Sequence, residues 1–224
     1  CMCDIADTTD LAEEIEAAYE SPEPVSCPCN IAEPGQIKEM VERIEYSHGG
    51  VDILINNAAI HGPEGESTFP EMSLDGFKKT LDIDLSSAVW LTLSVLPHMR
   101  EQRWGRVIFT SAPRSSSGIP APYLAGKSGF IGMAKHLYTQ YGGEGIRSFA
   151  LALRHTETPM IRKVLAGKGI DVSEGLKKMH AKSLTGRMTT PKEIAKLYGW
   201  FAQADNTEVS GACLLADGGI TYMR

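Results

Sequence analysis

The sequence predicts a doubly wound α/β domain, a parallel β-sheet with helices on both faces. Short apolar runs of strand length alternate with longer amphipathic runs of helical period from end to end. Polar residues follow several strand-like runs, at the carboxyl ends where right-handed crossovers gather ligand-binding groups. The 224 residues, 42% hydrophobic and 22% charged, suffice for one domain with a sizeable core.

In order, Cys1 to Asp4 reads as the end of a strand. Asp10 is expected to cap a helix whose apolar face includes Leu11, Ile15 and Ala18, with Glu13 in the reciprocal capping position. Val25 to Cys29 reads as a second strand, weakened by Pro28. Ile37, Met40, Val41 and Ile44 recur at helical spacing, and Gly49-Gly50 stops that helix. Val51 to Ile55 reads as a buried strand ending at Asn56-Asn57. A Gly/Pro-rich loop, His61 to Pro70, leads into helices around Ser73 to Leu81 and Leu85 to Arg100. Arg106 to Thr110 is a strand, Pro122 to Tyr141 a helix after a Ser-rich loop, and Ile146 to Leu153 a strand. The polar, Gly-punctuated residues 160–189 read as a weakly helical lid over a substrate. Thr190-Pro191 starts a last helix, and Ala212 to Leu215 is the final strand. No repeat or linker divides the chain, so residues 1–224 read as a single domain.

Composition excludes several classes of function. A net charge of −6 with no Lys/Arg run disfavours nucleic acid. No apolar run approaches the roughly 20 residues of a membrane helix, and Cys1-Met2-Cys3-Asp4 does not read as a targeting leader. Five cysteines are too few for a disulfide scaffold, which points to a reducing, cytoplasmic setting. Cys1/Cys3 and Cys27/Cys29 leave two readings open: four thiols brought together by adjacent strands as a zinc site, or buried cysteines acting as small apolar residues. The spacing is not that of a zinc knuckle. His61, His136, His155 and His180 lack metal spacing and read as surface or packing residues, so no metal is expected.

Chemistry concentrates at Tyr123-Leu124-Ala125-Gly126-Lys127, where Tyr and Lys stand four apart on one helical face. A phenol is a poor acid or base at neutral pH, and a neighbouring ammonium favours its phenolate. With Val51-Asp52-Ile53-Leu54-Ile55-Asn56-Asn57-Ala58-Ala59, Gly105-Arg106-Val107-Ile108-Phe109-Thr110-Ser111 and Asp217-Gly218-Gly219, the sequence resembles the short-chain dehydrogenase/reductase family over nearly its whole length. The resemblance implies a Rossmann-like, three-layer α/β/α fold and an oxidoreductase acting on a secondary alcohol or ketone. Tyr123 takes the place of the catalytic acid/base and Lys127 that of the residue binding the nicotinamide ribose. Asp4, Asn30, Ile31, Asn57 and Ala58 take cofactor positions on the adenosine side, and Thr156 and Thr158 lie by the carboxamide. A carboxylate at Asp4 implies NAD rather than NADP. The resemblance also implies a homodimer or homotetramer and a small alcohol or carbonyl substrate, with neither nucleic acid nor membrane as partner.

Four departures accompany it. The family's first strand, glycine-rich turn and helix are missing from the pattern, so a strand, turn and helix are expected to precede Cys1. The catalytic serine falls on Ala112 or Thr110 by different counts; Ser111 between them is the best choice, with Ser115, Ser116 and Ser117 as fallbacks. Asp84 stands where the family carries the Asn that completes its proton relay and is carried over as a catalytic residue beside Ser111, Tyr123 and Lys127; a carboxylate there still orders water, but it is expected to pair with Lys127 and weaken its pull on Tyr123. Leu153-Arg154 replaces a Pro-Gly, and Arg154 would crowd the nicotinamide. These departures keep open an alternative, a non-catalytic binding or scaffolding member of the fold.

Overall fold

The computed structural model describes residues 1–19, 24–62, 69–112, 119–153 and 156–219. Its strands are β1 (Met2–Asp4), β2 (Ser26–Pro28), β3 (Ile53–Asn56), β4 (Gly105–Ser111), β5 (Ile146–Leu153) and β6 (Ala212–Ala216). Between them run α1 (Thr9–Ala18), α2 (Pro34–His48), α3 (Leu74–Leu81), α4 (Ser87–Glu101), α5 (Ala121–Tyr141), α6 (Pro159–Gly167), α7 (Val172–Ala181) and α8 (Pro191–Ala202). Every strand pair is parallel, as a βαβ succession requires.

Alternation along β4 and β5 builds the core. Val107 and Phe109 face α2, α4 and α5, packing with Ile37, Val95, Met99, Phe130 and Ala134. Ile108, Phe149 and Leu151 face the other way, onto Ile194 and Phe201 of α8. Both faces are therefore covered. Arg106 on β4 is buried, and its guanidinium donates to the carbonyls of Gly105, Gly145, Gln203, Ala204 and Asn206. Carbonyl oxygens just past the end of α8 thus replace the water this cation gives up. The α5–β5 turn needs glycine: Gly145 has φ 84°, and a Cβ there would stand 1.9 Å from the Arg103 carbonyl oxygen.

The strands form two sheets instead of one. A four-stranded sheet has the order β3-β4-β5-β6, and β1-β2 stand apart. β1 and β3 border a cavity of about 590 Å³, lined by Cys1, Cys3, Leu54, Asn56, Val95 and Phe130 among others. The expected buried strand is corrected accordingly: β3 spans Ile53–Asn56, and Ile53 and Ile55 are 40% and 42% exposed. A strand of a parallel sheet is buried only with a neighbour on each side, and β3 has one. Asn56 is buried with neither amide atom hydrogen-bonded.

Several local expectations change as well. Asp10 does not cap α1; the Asp7 carboxylate accepts from the Thr9 amide and hydroxyl instead. Leu11 is exposed and Ala12 is the buried residue of α1, because β1-β2 is too narrow to cover a full apolar stripe. Pro28 is tolerated because β2 pairs only with β1, leaving its other edge free of ladder bonds. The helix read from Leu85 is preceded by a π-helical turn, Asp82–Ser86, joining α3 to α4. Residues 160–189 are more helical than their composition suggests: α6 and α7 pack Leu165, Leu176 and Met188 into a cluster of their own. Two short helices that bury one narrow stripe each leave most of their surface polar. Among the described residues no three His, Cys, Asp or Glu side chains converge as a metal-ligand set, so the four-thiol zinc reading is not met. Cys3 stands opposite Cys27 across the ladder, and Cys27 and Cys29 are buried.

Candidate active site

The carboxyl ends of β1, β3, β4 and β5 open on one cleft of about 580 Å³. Asp4, Asn30 and Ile31 line it from the β1–β2 side, and Asn57 and Ala58 from the end of β3. Ser111 of β4, Tyr123 and Lys127 of α5, and Thr156 and Thr158 before α6 complete it. Residues dispersed over 155 positions of sequence thus meet because parallel strands end on the same side.

Pro120 and Pro122 fix the entry into α5, which places Tyr123 in the first turn and Lys127 one turn later. Lys127 is only 2% exposed. Its Nζ lies 5.6 Å from the Tyr123 ring centroid and 5.1 Å from that of Phe130, so ring faces supply part of the lost solvation. Burial brings the amine down to about 8, and the Asp84 charge acts in the opposite direction. The phenol is pushed up to about 12, first by burial and then by Asp84. The sequence alone expects the ammonium to favour the phenolate; in the structure burial and the Asp84 charge act in the other direction.

Asp84 lies behind the cleft, fully buried on the π-helical turn. Its Oδ1 accepts from the Ile60 amide at 2.7 Å, while Oδ2 has no hydrogen-bond partner. The expected pairing with Lys127 is a through-space attraction, not a contact. Burial raises the carboxyl to about 6, against the pull of the Ile60 amide and Lys127. A methyl on Gly126 would stand 3.1 Å from the Asp84 Cβ, so this glycine lets α5 approach the carboxylate.

Ser111 donates its hydroxyl to the Lys127 backbone carbonyl, and its only proton is therefore engaged. Thr110 bonds the Tyr198 hydroxyl at 2.7 Å, and Ala112 is buried. Ser115, Ser116, Ser117 and Arg154 lie outside the described residues. Asp4 is exposed, with one oxygen accepting from the Ala6 amide. The Asn30 side chain accepts from the Ala32 amide. Thr158 stands at the N-cap of α6 without a side-chain cap bond, so its hydroxyl is not spent on the helix. Thr156 bridges Thr189, tying together the two ends of the segment that carries α6 and α7.

One residue read as surface or packing belongs here. The His61 ring lies 5.4 Å, centroid to centroid, from that of Tyr123. Burial and the Lys168 charge hold its imidazole below the usual histidine range. The only sequence signal was its position four residues beyond Asn57, which does not reveal the ring contact.

The donor set suits an elongated nucleotide cofactor. A carboxylate and an amide on the β1–β2 side match ribose hydroxyls and an adenine, and an ammonium and a phenol on the α5 side match a ribose and a reacting oxygen. The link from β1 to α1, Ile5-Ala6-Asp7-Thr8, contains no glycine to cradle a pyrophosphate.

A family model described as enoyl-(acyl carrier protein) reductase matches residues 1–221. A 2,5-dichloro-2,5-cyclohexadiene-1,4-diol dehydrogenase of Sphingobium indicum is 28% identical over 221 residues, covering 97% of this chain and 86% of that one. A 3-oxoacyl-(acyl carrier protein) reductase of Thermotoga maritima is 30% identical over 193 residues, covering 85% of this chain and 74% of the relative. Among solved structures, levodione reductase superposes with a TM-score of 0.91 at 23% identity, covering 99% of this chain and 87% of that one. A gluconate 5-dehydrogenase of Burkholderia cenocepacia, in complex with NADP and tartrate, gives 0.85 at 21% identity, covering 100% and 85%. No helix among the described residues is long and apolar enough to cross a membrane. With its parallel strands, covered sheet and Tyr/Lys cleft, this chain belongs to the short-chain dehydrogenase/reductase family, oxidoreductases that act on hydroxyl and keto groups with a nicotinamide cofactor.

Proposed function

We propose that this protein interconverts a secondary alcohol and a ketone using NAD(H), with Tyr123 exchanging the proton. The observation that carries the reading is the half-buried Tyr123 and buried Lys127 on one turn of α5, facing a cleft that Asp4 also lines. The bound nicotinamide supplies or takes up the hydride. Asp4 accepts from ribose hydroxyls and repels a 2′-phosphate, which favours NAD(H) over NADP(H). Asn30 and Ile31 hold the adenine, Asn57 and Ala58 the adenosine side, and Thr156 and Thr158 the carboxamide. Lys127 donates to the nicotinamide ribose. Its charge acts on Tyr123 most strongly once substrate and cofactor exclude water from the cleft. In reduction the Tyr123 Oη proton passes to the carbonyl oxygen; in oxidation the phenolate takes the hydroxyl proton. Ser111 donates to the same oxygen after leaving the Lys127 carbonyl, an oxyanion role. Pro159, Met160 and Ile161 at the start of the lid line the cleft and give the substrate pocket a mixed, moderately apolar wall.

Two structural readings accompany this one. β1 and β3, each paired on one side only and with the Asn56 amide unsatisfied beside them, support a further strand seated in the 590 Å³ cavity, supplied by additional polypeptide. Trp90 and Leu93, 45% and 53% exposed on α4, support contact with another copy in a homodimer or homotetramer.

The test is Tyr123→Phe, expected to lower turnover by about 10²- to 10⁴-fold; full turnover overturns the assignment. The rival reading, a non-catalytic binding member of the fold, draws on the Ser111 hydroxyl being held by Lys127. Calorimetric titration with NADH separates the two, because a scaffold gives no saturable binding.

A further inference from the structure

We propose that the substrate is an anion, a hydroxy or keto acid whose carboxylate lies against His61 and is drawn in by the basic residues of the segment 160–189. The inference rests on the alcohol/ketone reading above and names the substrate class for that site. Charge is divided unevenly across the cleft. Residues 1–50, whose Asp4, Asn30 and Ile31 line one wall, carry 12 Asp and Glu against two Lys and Arg. Residues 160–189, whose Met160 and Ile161 line another, carry seven Lys and Arg against two Asp and Glu. All seven cations are exposed, and Arg162 and Lys163 follow Ile161 directly on α6. Three are in ion pairs, Arg162 with Glu157, Lys178 with Glu174 and Arg187 with Glu193, and the segment keeps a positive excess when these acids are counted. A cleft bordered by one sign of charge focuses the field and concentrates the opposite ion there.

Within the cleft the donor is His61. Ile60 before it lines the cleft, and the His61 ring lies 5.4 Å, centroid to centroid, from that of Tyr123, tilted by 36°. A carboxylate reached by this imidazole is therefore close to the oxygen that Tyr123 serves. The residue after it is seated against two elements: a Cβ on Gly62 would stand 3.6 Å from Thr80 Oγ1 of α3 and 3.7 Å from the Pro120 Cβ at the entry to α5. An imidazole N–H donates to a carboxylate whether the ring is neutral or charged, and more strongly when charged. Among the described residues, the ionisable groups on the elements around the ring are Tyr123 and Lys127 of α5, Lys168 at the end of α6, and Asp84 buried on the π-helical turn. Asp75, Lys78 and Lys79 of α3 are exposed to water. Burial first, and then the Lys168 charge, hold the imidazole below the usual histidine range. A carboxylate beside it acts in the opposite direction, so binding takes up protons. One imidazole among Ile60, Met160 and Ile161 suits a monoanion better than a phosphate dianion, whose desolvation costs more.

The test sets 3-hydroxybutyrate and 3-hydroxyhexanoate against their methyl esters, which keep the secondary alcohol and lose the charge. With the full chain and NAD, the acids are expected to exceed their esters in kcat/KM by about tenfold or more at low salt, and the advantage to shrink as ionic strength rises from about 0.02 to 0.5 M. His61→Phe keeps a ring beside Tyr123 and loses the donor, and the acid-to-ester ratio should fall by about tenfold. In the double variant Lys163→Glu/Lys177→Glu the salt dependence of that ratio should weaken. Esters turned over as well as the acids overturn the inference, and so does a ratio that His61→Phe leaves unmoved. If neither acids nor esters react, NMR of the His61 imidazole in the unmodified protein decides. A resonance that moves with the acids and not with the esters removes the catalytic reading and leaves the anion site standing; one that moves with neither overturns the inference.

Discussion

β5 and β3 are both apolar runs that the sequence reads as buried, yet Leu151 on β5 is wholly inaccessible while Ile55 on β3 is 42% exposed. β5 has β4 on one side and β6 on the other, with helices above and below; β3 has β4 alone. The difference shows that apolar patterning measures a strand's capacity for burial, whereas neighbours determine whether that capacity is used. The same holds for helices. α8 buries Ile194 and Phe201 against the four-stranded sheet, while α1 over the two-stranded one leaves Leu11 in water.

The sharpest test compares truncations on the two strands. Phe149, fully buried with its ring 4.4 Å from that of Phe201, should cost about 3–5 kcal/mol of stability as Phe149→Ala. Ile55→Ala should cost less than about 1 kcal/mol. Urea unfolding of both variants checks this, and equal losses would mean that β3 is covered in solution. Arg106→Ala follows, at about 3 kcal/mol in the same assay, since it leaves several buried carbonyls without a donor. Amide hydrogen exchange extends the comparison to the backbone. Residues 107–110 and 148–152 should exchange only by global unfolding, and Ile53 to Ile55 many-fold faster.

A smaller effect concerns pH. The Asp84 carboxyl is raised from 3.8 to about 6, so between those values the folded protein holds a proton that the unfolded chain has released. Stability contributed by this group is therefore present below about 4 and is lost as pH rises toward 6. Asp84→Asn should melt at a higher temperature than the parent at pH 7.5, and the gap should close at pH 4; scanning calorimetry at both pH values reads it. The smallest effect is at the start of α8, where Thr190 and Glu193 cap each other reciprocally. Thr190→Ala should cost about 1 kcal/mol and leave NADH binding unchanged.

Much of the candidate site was legible because parallel α/β topology is itself a rule of position. Once Asp4, Asn57 and Ser111 were read as strand ends, their convergence followed without knowledge of any distance. The Tyr123/Lys127 spacing was legible for the same kind of reason, the fixed period of a helix. What could not be read was the direction of each side chain and the balance of charge around it. Ser111 turns to the Lys127 carbonyl, Asp84 spends one oxygen on Ile60, and the His61 ring lies against that of Tyr123; each depends on contacts between segments far apart in sequence.

The sequence by itself determined the order of strands and helices, the parallel architecture and the residues that meet at the strand tips, because period and crossover handedness are local rules applied repeatedly. Only the tertiary structure decided that the strands part into two sheets with a cavity between them, that residues 160–189 fold as two helices around their own small core, and that burial and the Asp84 charge hold the Tyr123 phenol up. Burial and electrostatic field are sums over every neighbour in space, and no stretch of chain carries its neighbours with it.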